Sequence, residues 1–257
     1  MKKIIFVITA MLIFSSCANT GSVNYSSNTP AISDRFLVTP PQSGTLVIVG
    51  VSGKQSKREY EINSAMEDAA RKAAMYHGVH VNAEYVQNIG SGFLDYYTAS
   101  NVNLRYDERL ELYMDKLDFN KDRDIVNTSG GVFIRFTFPA AFPGSVSYSF
   151  ARKPNGRPEW IENPPGMISG FIAGVGYSAR QWKLQDTFTK SRDSAAAAIV
   201  SQLYTRMTTS GVSVDSRSNS RIRQRSEGYI NNFLVLEIWI DPGNQDVWTL
   251  AIAQKAN

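Results

Sequence analysis

Two stretches of this chain repeat one local pattern, and that repetition limits the folds open to it more than any other feature. Thr45-Leu46-Val47-Ile48-Val49-Gly50-Val51-Ser52 is a short apolar run ending in Gly-Val-Ser, and Gly170-Phe171-Ile172-Ala173-Gly174-Val175-Gly176-Tyr177-Ser178 ends in a similar way. Each reads as a buried strand running into a turn. An amphipathic helix follows both. In the first, Ile62, Met66, Ala69, Ala70, Ala73 and Tyr76 recur at helical spacing; in the second, Phe188, Ala195, Ile199, Leu203 and Met207 do so. Asp193-Ser194-Ala195-Ala196 also resembles Asp68-Ala69-Ala70. Alanine on the buried stripe lets a helix approach a sheet closely. Glu67 and Arg71, and Asp68 and Lys72, are acid-to-base pairs four residues apart, expected on the opposite, solvated face.

Strand signals continue in each half. The first has Val79 to Val86, a polar stretch, Leu104 to Leu117, and a turn at Asn127-Thr128-Ser129-Gly130-Gly131. Beyond it Val132, Ile134, Phe136 and Phe138 alternate with Phe133, Arg135 and Thr137. The second half has Val212 to Ser218, Phe233 to Ile240, a turn at Asp241-Pro242-Gly243-Asn244, and Val247 to Ala253. The expected fold is α+β, with two tandem similar domains, each a helix on an antiparallel sheet. The domains are placed at 44–140 and 158–257, with a Pro- and Gly-rich linker at 141–157.

The N-terminus has a different character. Lys2 and Lys3 precede an apolar run from Ile4 to Phe14, then Ser15, Ser16 and Cys17, the chain's single cysteine. This is the layout of a secretory signal, and the run is shorter than the roughly 20 residues a spanning helix needs. Ending the run at a cysteine resembles the lipobox of bacterial lipoproteins, with Phe14 where Leu is usual. Residues 1–16 are therefore read as a lipoprotein signal peptide and Cys17 as the acylated residue, palmitate being among the expected modifications. Residues 17–43, rich in Ser, Asn, Thr and Pro, form the tether. Ala18, with no Asp after the cysteine, favours the outer membrane by resemblance to well-studied double-membrane bacteria, with the body facing the periplasm. One cysteine excludes an internal disulfide and a multi-thiolate metal site. Lys2 and Lys3 supply two of the 27 basic residues that stand against 23 acidic ones, so the mature chain is near balance and gives no reason to propose nucleic acid.

Pro158-Glu159-Trp160-Ile161, Gly174-Val175-Gly176, an alanine-rich helix and a terminal hairpin with Trp239 and Trp248 together resemble the LPP-twenty-like bacterial outer-membrane lipoproteins, which include the FlgP-type flagella-associated proteins. The resemblance covers Pro158 to Asn257 and, more weakly, Gly44 to Phe138. It implies envelope association, sometimes assembly into rings or scaffolds, and no catalytic residues.

Several candidate sites compete with plainer readings. His77 and His80 are the only histidines. Their spacing allows one metal, but a closed zinc site takes four ligands, so a helix-end role is favoured. Gly50-Val51-Ser52-Gly53-Lys54 lacks the phosphate-loop spacing and has Gln55 where Ser or Thr belongs. Gly174 and Gly176 lack the third glycine of a dinucleotide fingerprint. No Gly-x-Ser-x-Gly elbow occurs, and a carboxylate pair such as Glu111 and Asp115 is unremarkable. The aromatic residues Tyr96, Tyr97, Trp160, Trp182, Trp239 and Trp248 suit a carbohydrate platform or, more often, a core or interface.

The most distinctive polar segment holds Arg217, Arg221, Arg223 and Arg225, with no acid from Ser216 to Ser226. Their shared parity puts them on one face of a strand, suited to an anionic partner. The sequence thus points to a non-catalytic envelope protein without metal or cofactor. The membrane is its partner through Cys17, and other envelope proteins or copies of itself are the remaining partners. A module binding peptidoglycan or lipopolysaccharide through the Arg217 to Arg225 face is the alternative.

Overall fold

The structure, a computed structural model, describes residues 32, 34–41, 44–88, 99–208 and 221–256. The signal peptide, Cys17, most of the tether, Tyr96, Tyr97, Arg217 and the strand expected at Val212 to Ser218 lie outside those residues.

A short helix, α1 (Asp34–Leu37), precedes strand β1 (Thr45–Gly53). Helix α2 (Arg58–His77) follows and ends at Gly78, whose N–H bonds to the Ala74 carbonyl at 3.3 Å. Strands β2 (Val79–Asn88) and β3 (Ala99–Arg105), a helical turn α3 (Glu111–Met114), and strands β4 (Ile125–Thr128) and β5 (Gly131–Pro139) complete the first half. An irregular segment leads through a 3₁₀ turn at Glu159–Ile161 to β6 (Met167–Ile168), β7 (Phe171–Ser178), α4 (Leu184–Thr208), β8 (Arg221–Ile240) and β9 (Val247–Lys255).

The expected α+β class holds, with two antiparallel sheets. One has the order β1-β5-β4 and the other β3-β2-β8-β9-β7-β6. The series strand, helix, strand, strand is arranged alike in both, with the last strand in the middle: β4-β5-β1 matches β8-β9-β7. The β2–β3 hairpin of the first half instead pairs with β8, from Val79 opposite Ile230 to Asn88 opposite Arg221. The six-stranded sheet therefore crosses the segment at 141–157. The core is shared too, because Ala65, Ala69 and Phe136 of the first half belong to one buried cluster with Trp160, Leu236 and Leu250 of the second.

The strand expected at Leu104 to Leu117 stops at Arg105. There Asp107 accepts the Arg109 N–H at 3.1 Å, a side-chain turn that starts the short α3. In β5 the apolar alternation is kept, yet Phe133, on the opposite face from Ile134, is also buried, joining Val49, Val51, Phe36 and Phe188. Gly131 opens β5 at φ 149°, and a Cβ there would lie 1.9 Å from the Ser52 carbonyl oxygen, so only glycine fits.

Alanine makes the helix-to-sheet approach close, as its spacing in the sequence implies. A Cβ on Gly50 would lie 2.0 Å from the Ala65 carbonyl oxygen, and one on Gly176 would lie 2.0 Å from that of Ser191. The shift in numbering that carries Gly50 onto Gly176 also carries Ser52 onto Ser178, Gln55 onto Gln181, Glu61 onto Thr187, Ala65 onto Ser191 and Ala69 onto Ala195. Both helix starts use this correspondence: Gln55 N–H donates to Glu61 Oε1 at 3.1 Å and Gln181 N–H to Thr187 Oγ1 at 3.0 Å.

Candidate functional site

The densest group of charges lies where α2 meets α4. Asp68 and Lys72, one helical turn apart, were expected on the solvated face of α2. They are instead turned inward, Asp68 being 2% exposed. Asp68 Oδ2 accepts from Lys72 Nζ at 2.7 Å and from the Val51 N–H at 2.9 Å, while Lys72 Nζ donates to the Val49 carbonyl at 2.5 Å. Arg192 of α4, 3% exposed, reaches across to Asp68 Oδ1 at 3.3 Å and holds Asp193 Oδ1 through Nε and NH2 at 2.9 and 2.7 Å. The other acid-to-base pair, Glu67 and Arg71, meets at 3.3 Å on the surface as expected.

The geometry explains the charges. Among the described residues strand β1 pairs with β5 alone, so its second edge has no strand partner there, although β1 is buried along nearly its whole length. A buried backbone N–H or C=O without a partner costs about as much as a lost hydrogen bond. Asp68 takes the Val51 N–H and Lys72 supplies the Val49 C=O, so the ion pair closes that edge. Burial alone disfavours the Asp68 carboxylate, but Lys72, Arg192 and the Val51 N–H outweigh it and hold its pKa below 3.8.

Beside this cluster lies an open cleft of about 500 Å³ between β3 and α4, lined by Arg71, Asn101, Asn103, Tyr106, Gln185, Thr189, Arg192 and Asp193. It presents amides, the hydroxyls of Tyr106 and Thr189, the arginines Arg71 and Arg192 and the carboxylates of Asp186 and Asp193, with neither histidine nor cysteine among its lining residues. A second opening of about 360 Å³ surrounds Lys54, Arg58 and Glu61 at the start of α2. The place an anion would take there is filled by the chain's own carboxylate: Glu61 binds Arg58 at 2.7 Å, Lys54 at 3.4 Å and the Gln55 N–H. The strand-end turn expected at Gly50 is corrected: β1 runs on to Gly53, paired with β5 as far as Gly131, and Gly174 and Gly176 likewise lie within β7.

His77 and His80 engage different surroundings. His77 closes α2 with its ring against Tyr113 and Phe138, centroids 5.8 and 5.9 Å away, and desolvation there, with Lys116 nearby, lowers its pKa. His80, on β2, lies 3.2 Å from Glu227, and its ring meets that of Tyr229 at a tilt of 57°, centroids 4.8 Å apart. Among the described residues, no three His, Cys, Asp or Glu side chains gather in a metal-binding group.

The basic segment enters β8. Arg221, Arg223 and Arg225 pair opposite Asn88, Val86 and Glu84, positions of one parity that share a sheet face. Arg225 is exposed, with Nε 3.2 Å from Asn82 Oδ1 and NH2 3.2 Å from Glu227. Strand pairing thus brings Glu84 and Glu227 onto a face that the sequence segment presents as free of acid.

The tryptophans divide. Trp160 is fully buried, and Trp239 and Trp248 form a cross-strand pair beneath Arg157, whose guanidinium lies 5.9 and 6.0 Å from their rings. These close the core. Trp182 is 99% exposed. Composition and spacing did not single out Arg192 or the inward turn of Asp68, and they left Trp182 among the other aromatic residues.

Compared with protein-family models, with curated proteins and with solved structures, the chain gives no match.

Proposed function

We propose that this protein is a non-catalytic envelope lipoprotein whose body is built from two repeated strand–helix–strand–strand units and serves a structural or interaction role. The observation that carries the reading is the leader: Lys2, Lys3, the short apolar run and Cys17 at its end. Among the described residues, no helix is long and apolar enough to cross a membrane, so acylation of Cys17 is the attachment this reading requires. The repeat reading is supported by the shared strand order, by the matched close approaches at Gly50 and Gly176, and by the single shift in numbering that relates them. The buried ion cluster is engaged in closing β1, which supports a structural role for this most polar part of the interior.

Fractionation tests the anchor. The native protein is expected in the membrane fraction, resistant to salt, and a Cys17→Ser variant in the soluble periplasmic fraction. Equal distribution of the two removes the basis of the reading. The peptidoglycan- or lipopolysaccharide-binding reading draws on the common face of Arg221, Arg223 and Arg225. Salt-sensitive retention on purified sacculi, lost on replacing the arginines with Gln, would favour it.

A further inference from the structure

A fully exposed tryptophan loses the whole benefit of burying its indole, so Trp182, 99% exposed between Gln181 and Lys183, needs an explanation that the core does not supply. Basic side chains predominate beside it, with Asp186 the exposed acid four residues on. Arg180, Lys183 and Lys190 flank it, and all are exposed. The matching loop of the first half carries Lys54, Lys57 and Arg58, exposed in the same way, with Tyr60 47% exposed under Lys57. The β4–β5 turn joins the two loops into one end of the molecule. The Lys54 N–H bonds to the Gly130 carbonyl at 2.9 Å, and a Cβ on Gly130 would touch the Leu184 side chain at 3.6 Å. Ser64 and Gln185 meet at 3.3 Å on the adjoining helices.

The acids of this end are mostly occupied. Glu61 is held by Arg58 and Lys54, and Asp246 accepts from Tyr177 and the Arg180 N–H, leaving Glu59 and Asp186 exposed.

Ile32 and Phe36 belong to the apolar cluster that also contains Val126, Leu184 and Phe188, so the segment leading back to Cys17 meets the body at a cluster to which the start of α4 contributes. About fifteen residues separate Cys17 from Ile32, a reach of at most about 50 Å. Resting on the anchored reading above, we infer that this end is a membrane-docking surface, with the Trp182 indole inserting at the interface and the surrounding lysines and arginines facing anionic headgroups. Tryptophan favours the boundary between water and hydrocarbon, and each basic side chain near an anionic surface adds attraction. The acyl chain and the docking surface would then be the two signals that stable attachment takes.

The test uses the chain from residue 17 onward carrying Cys17→Ser, so that no acyl group contributes, sedimented with vesicles containing phosphatidylglycerol or phosphatidylcholine alone. Salt-sensitive binding to the anionic vesicles alone is expected. Trp182→Ala should lower the affinity roughly tenfold, and Arg180→Glu with Lys183→Glu by at least as much. An unchanged circular dichroism spectrum verifies that each variant is folded. Anionic binding that Trp182→Ala leaves intact, or no binding at all, overturns the proposal. Retention through Trp182 on an envelope protein but not on vesicles overturns it in favour of a protein partner. The anchor stands or falls separately: binding through Trp182 in a protein whose native Cys17 is unmodified upholds the surface and removes the anchored reading.

Discussion

The junctions β1–α2 and β7–α4 are packed alike and sealed differently. In both, a strand glycine lets the helix backbone come within a distance that no Cβ allows, at Gly50 against Ala65 and at Gly176 against Ser191. Beyond β7 lies the short β6, which pairs with Phe171 and Ile172 at its start. Beyond β1 no strand lies among the described residues, and the ion pair of Asp68 and Lys72, tied to Arg192, bonds to that edge. At the second junction the interior polar contact comes from Ser191, which matches Ala65, and it is neutral. Ser191 Oγ donates to the Thr249 hydroxyl at 2.8 Å and lies 3.2 Å from the Gly176 carbonyl. One backbone geometry thus accepts either a charged or a neutral polar group where the helix meets the strand.

The largest expected effect comes from breaking the charged seal. Asp68→Ala leaves Lys72 and Arg192 buried without their shared carboxylate, and should cost about 3–5 kcal/mol in urea unfolding. A loss under about 1 kcal/mol would show that water replaces the carboxylate. The same group sets a pH dependence. Its folded pKa lies below 3.8, so its contribution is complete above that value and is lost as the pH falls further. Unfolding midpoints measured from pH 6 down to pH 2 should show this acid loss in the native chain and a smaller one in Asp68→Asn.

The shared geometry is tested next. Gly50→Ala and Gly176→Ala each force a methyl group onto a helix carbonyl and should cost about 3 kcal/mol apiece. Equal losses sharpen the comparison, and a tolerated Gly50→Ala would break it. Ser191→Ala removes only a neutral hydroxyl seal and should cost about 1 kcal/mol by the same measurement. Trp182→Ala should leave stability within about 0.5 kcal/mol of the native chain, because the side chain touches solvent rather than core.

Much of this arrangement was legible in the sequence. Apolar strand runs through Gly50 and Gly176, alanine stripes on both helices and the turn at Gly130 and Gly131 are local signals, and they place the elements closely, although both strands run past those glycines. The turned-in charges were legible in principle. At 100° per residue Lys72 falls about 20° from Ala65 and Asp68 about 60° from it, inside the buried stripe, and Arg192 falls about 20° from Ile199. Reading an acid-to-base pair as solvated overrode that geometry. The pairing of β2 with β8 was not legible, because it joins segments about 150 residues apart and only the assembled sheet decides it. That long-range pairing is also what brings Glu84 opposite Arg225. Trp182 stood in the sequence beside Trp160, Trp239 and Trp248, and only burial separates the one that faces solvent from the three that close the core.

The anchor at Cys17 is the claim on which the functional reading turns, and the intact mass of the protein extracted from native membranes tests it most directly. The account predicts a chain beginning at Cys17 that carries two or three acyl groups. An unmodified Cys17, or a mature chain that begins after it, would contradict the account.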